Sequence, residues 1–183
     1  MKYLLTFALA GLCFFASAKE VAGVDVPDNL SLNEQTYVLN GAGVRDKFFM
    51  DLYVGSLYLP AKANSLDAVL SQSSAIVRLD ILSDLITSEK MRSAITEGFD
   101  AATAGKQDDA MKANIAAFMA LFDSEIKPGD RFVLLASDAG VTAYKNDVAQ
   151  PQIGDKAFAA ALISIWLGDK PAQKSLKSQM LGK

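Results

Sequence analysis

Hydrophobic and polar positions recur along this chain with two periods, and the switches between them lay out its elements. Residues Thr36–Asn40 carry β-formers and run into Gly41-Ala42-Gly43, which reads as a tight turn. From Phe48 to Leu59 the side chains alternate. Phe48, Met50, Leu52, Val54, Ser56 and Tyr58 fall on one face, and Phe49, Asp51, Tyr53, Gly55, Leu57 and Leu59 on the other. Both faces are largely apolar, as in a central strand covered on each side, and Pro60 ends it. Ser65 caps a short helix through Leu70, and Ala75–Ile81 returns to the strand period.

The helical period then takes over. Ser88 is placed to cap a helix reaching about Ala102, with Met91, Ala94, Ile95 and Phe99 on one stripe. After a break at Gly105-Lys106, a second stripe of Met111, Ile115, Phe118, Met119 and Phe122 predicts a helix over Asp108–Phe122. Lys127-Pro128-Gly129-Asp130 is a turn, and Arg131–Ala136 with Val141–Tyr144 form a hairpin through Asp138-Ala139-Gly140. Asn146-Asp147 offers a further reversal before Val148. Asp155 caps a helix over Lys156–Leu167 that is apolar nearly all round, hence buried, and Gly168 stops it. Pro171 opens a short terminal helix to about Leu181. Strands, then helices, then a hairpin and more helices predict an α+β layering in a single domain.

The start of the chain changes the picture. Lys2, the thirteen-residue, largely apolar run Tyr3–Phe15 and the small residues Ala16-Ser17-Ala18 form a secretory signal pattern, too short in its apolar part to span a bilayer. Cys13 follows Leu12, where a lipid-attachment site needs a small residue, so cleavage after Ala18 is expected, with a periplasmic or secreted product and no integral span left. The expected organisation is a signal peptide over 1–18 and one domain over 19–183. That domain has no cysteine, so disulfide and thiol chemistry are excluded. It carries 17 basic and 21 acidic residues without a basic run, which argues against nucleic acid and anionic membrane surfaces as partners. With no histidine, triads, histidine metal sites and histidine-ligated haem are excluded; no metal or cofactor is expected.

Arg45 is the residue whose setting carries the most chemistry. It closes Gly41-Ala42-Gly43-Val44-Arg45 beside a long apolar strand. An arginine fork and a phenol such as Tyr53 can together hold a carboxylate or a phenolate. Eight residues of straight strand would separate the two by roughly 26 Å at about 3.3 Å each. They share a site only if the chain reverses or bulges near Asp46-Lys47; otherwise Tyr53 is a core tyrosine and Arg45 a surface cation. The acids Asp80, Asp84, Glu89 and Glu97 read as a solvated surface rather than as an acid–base pair. Phe158 and Trp166 sit on the buried helix, where they either pack in the core or line a ligand cavity.

The ordered set formed by Gly41–Arg45, Leu52-Tyr53-Val54-Gly55-Ser56-Leu57-Tyr58-Leu59, Lys127–Asp130, the hairpin, Phe158 through Ile165-Trp166-Leu167-Gly168, and Lys170-Pro171 resembles the chalcone isomerase-like family. The secreted bacterial branch is the nearest likeness, and it covers nearly the whole of 19–183. The resemblance implies a large antiparallel sheet with helices layered on one face and a ligand cleft between them. Two activities go with that family. Chalcone isomerases close a chalcone to a flavanone, using the arginine that Arg45 matches, a strand threonine, a tyrosine, an asparagine and a late threonine. The plant fatty-acid-binding relatives use the arginine and a strand tyrosine to hold a carboxylate over an apolar pocket.

Carried onto this chain, the strand threonine falls at Tyr53, the tyrosine near Thr87, the asparagine near Ala94 and the late threonine at Ile165. Ring closure needs donors around a phenolate and an enone carbonyl, and Ala94 and Ile165 cannot donate. The resemblance therefore implies a non-catalytic binder of a small amphipathic acid such as a fatty acid, with Arg45, Tyr53, Thr87, Ile165 and Trp166 as candidate ligand contacts. An isomerase or intramolecular lyase on an enone-like substrate, and a structural or partner-binding protein with a filled cleft, remain open alternatives.

Overall fold

The computed structural model describes residues 18–183, so all of the expected leader but Ala18 lies outside the described residues. Residues 18–32, to which the sequence assigned no element of the fold, form three strands: β1 (Ala18–Val21), β2 (Val24–Pro27) and β3 (Asn29–Leu32). The sheet continues through β4 (Gln35–Lys47), β5 (Met50–Leu59), β6 (Ser74–Ile81), β7 (Arg131–Ser137), β8 (Gly140–Lys145) and β9 (Val148–Ala149). Strands β3 to β9 make one seven-stranded antiparallel sheet in which sequence neighbours are spatial neighbours, while β1 and β2 pair separately. Helices α1 (Leu66–Leu70), α2 (Ser88–Ala102) and α3 (Asp109–Phe118) interrupt the meander; α4 (Lys156–Leu167) and α5 (Lys174–Met180) follow it.

The sheet has an apolar core on each face. On the helix side, Leu57, Val77, Leu79, Phe132 and Leu134 meet the stripes of α2, α3 and α4. There Phe99, Phe118, Phe122, Phe132 and Phe158 form a ring cluster, with Phe99 and Phe158 stacked 5.2 Å apart. On the far side, Tyr37, Val54, Tyr58, Ile76 and Val133 are covered by Val26 and the β1–β2 hairpin.

Several sequence expectations shift for identifiable reasons. Gly41–Gly43 is not a turn: β4 runs straight through it. The glycines are there because α5 crosses at that point. A Cβ on Gly41 would collide with the Gln179 carbonyl oxygen, and one on Gly43 with the Gln179 side chain. Phe48 and Phe49 are the turn itself, not strand; both have positive φ, 52° and 65°. Thr87, not Ser88, caps α2, its hydroxyl accepting from the Lys90 amide at 3.2 Å. The predicted helix over Asp108–Phe122 tightens to a 3-10 turn at Met119–Phe122 after the cap at Asp108. The terminal helix starts at Lys174, three residues past Pro171. The caps at Ser65 and Asp155 stand as read.

Candidate functional site

Strand parity decides where Arg45 points. Successive strand residues face opposite sides, and one inserted residue exchanges the faces. Tyr37 and Leu39 pack on the far core, as do Ala42 and Val44, so the alternation slips by one between them. The β4–β5 register shifts between Leu39 and Gly41, which leaves Asn40 as the extra residue. Its side chain donates to the carbonyls of Ala63 and Met180 and accepts from the Ala63 amide, fixing the bulge to the α5 end of the chain. Beyond it, Gly41, Gly43 and Arg45 turn to the helix side.

The hairpin then closes at Phe48-Phe49, just past Asp46-Lys47, where a reversal or bulge was the condition for a shared site, with a second register shift between Arg45 and Asp46. Arg45 and Tyr53 become direct cross-strand partners. Opposed residues of an antiparallel pair share a face, and the Arg45 guanidinium carbon lies 5.8 Å from the centre of the Tyr53 ring. Arg45 is half-buried, and among the described residues no carboxylate or carbonyl pairs with its guanidinium.

Tyr53 is buried and its hydroxyl accepts a hydrogen bond from Trp166 Nε1 at 2.9 Å. The indole N–H can only donate, so the phenol oxygen is the acceptor and its own proton is available to a ligand. Trp166 is brought there by a close helix contact. Gly98 of α2 faces Ile165 of α4, and a Cβ at Gly98 would lie 2.7 Å from the Ile165 side chain. The missing side chain lets the two helices approach and carries Ile165 and Trp166 to the sheet.

These groups line a cavity of about 460 Å³ between β5, β6, α2 and α4. Arg45, Tyr53, Ile165 and Trp166 are all on its wall, as is Ala94. Leu52, Leu79, Ile86, Met91 and Ile95 make the remaining wall mainly apolar. Thr87 does not belong: it is exposed, caps α2 and lies outside the lining. Phe158 likewise stays in the aromatic cluster rather than the cavity. Lys47, Phe48 and Lys90 stand at the exposed rim and were not singled out from sequence. Lys90 sits one turn into an amphipathic helix, a position with no local mark of a cavity. Glu97, also exposed, brings a single carboxylate to the lining and accepts from the Ser93 hydroxyl at 3.2 Å.

A second arginine lies on the far face. Arg78 holds Asp80 bidentately, Nε and one terminal nitrogen each at 2.8 Å. Arg131 Nε reaches the same carboxylate at 3.1 Å, and Arg78 also donates to the Asp25 carbonyl of the covering hairpin. Asp80 is 7% exposed, so the reading of it as a solvated acid is corrected. Burial pushes the nearby Tyr58 phenol up to about 12, Arg78 opposing and Asp80 adding to the shift; its hydroxyl donates to the Pro27 carbonyl.

An antiparallel meander with helices on one face, and between them a mainly apolar cleft whose wall carries Arg45, defines the class of the fold as a layered α+β protein. The chain belongs to the chalcone isomerase-like family, whose model matches residues 18–182. Its fold is similar to the crystal structure of an Arabidopsis thaliana fatty-acid binding protein, with 14% identity and a TM-score of 0.67 over 87% of this chain and 92% of that one. At that identity the likeness concerns the fold. No curated protein sequence matches the chain. Among the described residues no helix is long and apolar enough to cross a membrane, and no cluster of acids could hold a metal ion.

Proposed function

We propose that this protein is a periplasmic, non-catalytic binder of a small amphipathic acid such as a fatty acid. The observation that carries this reading is the half-buried Arg45 guanidinium, without an acid partner among the described residues, on the wall of a mainly apolar cavity of about 460 Å³. A carboxylate entering there meets the guanidinium fork and the free phenol proton of Tyr53, while its chain lies along Leu52, Leu79, Ile86 and Ile95. The volume falls in the range typical of small-ligand sites. The structurally similar plant protein is a fatty-acid binding protein, and Ala94 and Ile165 leave the wall without the donors that ring closure needs. The signal pattern of residues 2–18 supports the compartment.

The chain's one tryptophan reports on the test, since Trp166 lines the cavity and touches Tyr53. Titration with dodecanoate is expected to change its emission saturably. Arg45→Ala is expected to weaken that binding by roughly 10- to 100-fold, the weight of a charge-assisted hydrogen bond. An Arg45→Ala protein with wild-type affinity would remove the head-group role.

A further inference from the structure

Among the described residues, four hairpins turn through two residues that both have positive φ. Three of them use residues suited to that geometry: Ala22-Gly23, Asn33-Glu34 and Asn146-Asp147 each contain glycine or asparagine. The fourth is Phe48-Phe49, where two bulky side chains hold the left-handed conformation that such residues avoid. Among the described residues the compensation is small: Lys47 Nζ lies 5.6 Å from the centre of the Phe48 ring, and neither ring is buried. Phe48 is 77% exposed and Phe49 fully so, and Met50 beside them is 45% exposed. The most strained turn is thus also the most apolar point of the surface, and it stands at the rim of the cavity, which Lys47, Phe48 and Met50 help to line.

We infer that the Phe48-Phe49 tip is a lipid-docking element that seats the cavity mouth on a bilayer surface; the link to ligand uptake rests on the amphipathic-acid reading above. A protein partner is the poorer fit. A stable protein interface buries about 800 Å² on each side, whereas a two-residue tip offers a pair of rings of about 150–250 Å² each. A bilayer interface needs no matching shape and takes aromatic side chains at the headgroup level. The charge around the tip gives the mode of binding. Lys47 and Lys90 are offset by Asp46 and Asp51, which face each other across the hairpin base. Docking is therefore driven by apolar insertion, not by attraction to anionic headgroups, in keeping with a chain that has no basic run. An amphipathic acid leaving the bilayer beside the tip would meet the apolar wall and Arg45 without crossing open water.

The test uses a chain beginning at Ala18, which holds every described element, and sedimentation with zwitterionic phosphatidylcholine vesicles. Wild type is expected to bind, and to bind equally with anionic phosphatidylglycerol added or at raised salt. Phe49 does not line the cavity, so Phe49→Gly is expected to lower vesicle partitioning roughly tenfold, leave dodecanoate affinity in solution unchanged, and raise the melting temperature by relieving the turn. Loss of vesicle binding in a protein that has become more stable cannot come from misfolding. Wild type that fails to sediment with either vesicle, or Phe49→Gly that sediments like wild type, overturns the inference; a protein partner would then be the occupant. Arg45→Ala separates the two readings, because it weakens dodecanoate binding while leaving the vesicle result as it stands.

Discussion

The same sheet carries an arginine beside a tyrosine on each of its faces, and the two pairs are built oppositely. On the far face Arg78 is 4% exposed and its fork is answered by both oxygens of Asp80 and by the Asp25 carbonyl. Tyr58 is sealed beside it and donates to Pro27. On the helix face Arg45 has a ring beneath it and no counter-charge among the described residues, and the Tyr53 phenol keeps its proton unassigned. A satisfied buried ion pair pins strands β6 and β7 and the covering hairpin together. An unsatisfied cation on a cavity wall does nothing for the fold and is available to an anion. The difference teaches that residue type alone does not separate scaffold from site; the presence of a partner does. The far face is not perfect in this respect, since the buried Ser56 hydroxyl beneath the hairpin has no hydrogen-bond partner among the described residues.

The comparison breaks most visibly if Asp80 is neutralised. Asp80→Asn leaves Arg78 buried without its counter-charge and removes the Arg131 ion pair as well. The expected loss is about 3–5 kcal/mol in chemical denaturation, the usual result of removing one partner from a buried pair. Whatever folded protein remains should bind dodecanoate with wild-type affinity, because the cavity lies across the sheet. A loss below about 1 kcal/mol would mean the ion pair is not the clamp described.

Tyr58 gives a smaller effect that depends on pH. Its phenol titrates at its ordinary value of 10.0 when unfolded and at about 12 when folded, so the folded state disfavours the phenolate. The stabilisation is complete below pH 10 and is lost as pH rises through 12, about 2–3 kcal/mol in all. Tyr58→Phe should lower stability at neutral pH by about 1 kcal/mol, through the lost bond to Pro27. It should also flatten the fall between pH 10 and 12. Denaturation midpoints of the two proteins across that interval check it; parallel curves would contradict the burial of this phenol.

Why the far-face site was invisible in the sequence, and the helix-face one partly visible, is a matter of distance along the chain. Arg78-x-Asp80 reads as an exposed strand end because its third member, Arg131, and its cover, the β1–β2 hairpin, are each about fifty residues away. Gly41 and Gly43 read as a turn because glycine punctuates turns locally. Their actual cause is Gln179 and Met180, at the other end of the chain. Phe48-Phe49 reads as strand because phenylalanine carries no turn chemistry. By contrast, the caps at Ser65 and Asp155 and the stripes of α2 and α3 depend on residues three or four apart, and those were legible, as was the nearly all-round apolar character of α4. Arg45 and Tyr53 stood out locally as a cation and a phenol able to share an anion, and the family resemblance strengthened that reading. What brings them together, the Asn40 bulge and the Phe48-Phe49 reversal, has no local signature that would distinguish it from an ordinary strand.

The smallest effect is the most discriminating. Arg45 makes no ion pair with the described residues and stacks on one ring, so Arg45→Ala should change the stability of the unliganded protein by no more than about 0.5 kcal/mol. With dodecanoate present the two proteins should part. A ligand that binds only the folded state adds stability as RT ln(1 + [L]/Kd), about 2.7 kcal/mol at a hundredfold excess over Kd. If Arg45→Ala weakens binding about 100-fold, that same concentration is only equal to its Kd and adds about 0.4 kcal/mol. Thermal or urea unfolding with and without dodecanoate measures both quantities in one experiment. A variant already destabilised by about 2 kcal/mol or more without ligand would place Arg45 with Arg78, as a structural residue, and the contrast between the two faces would fail.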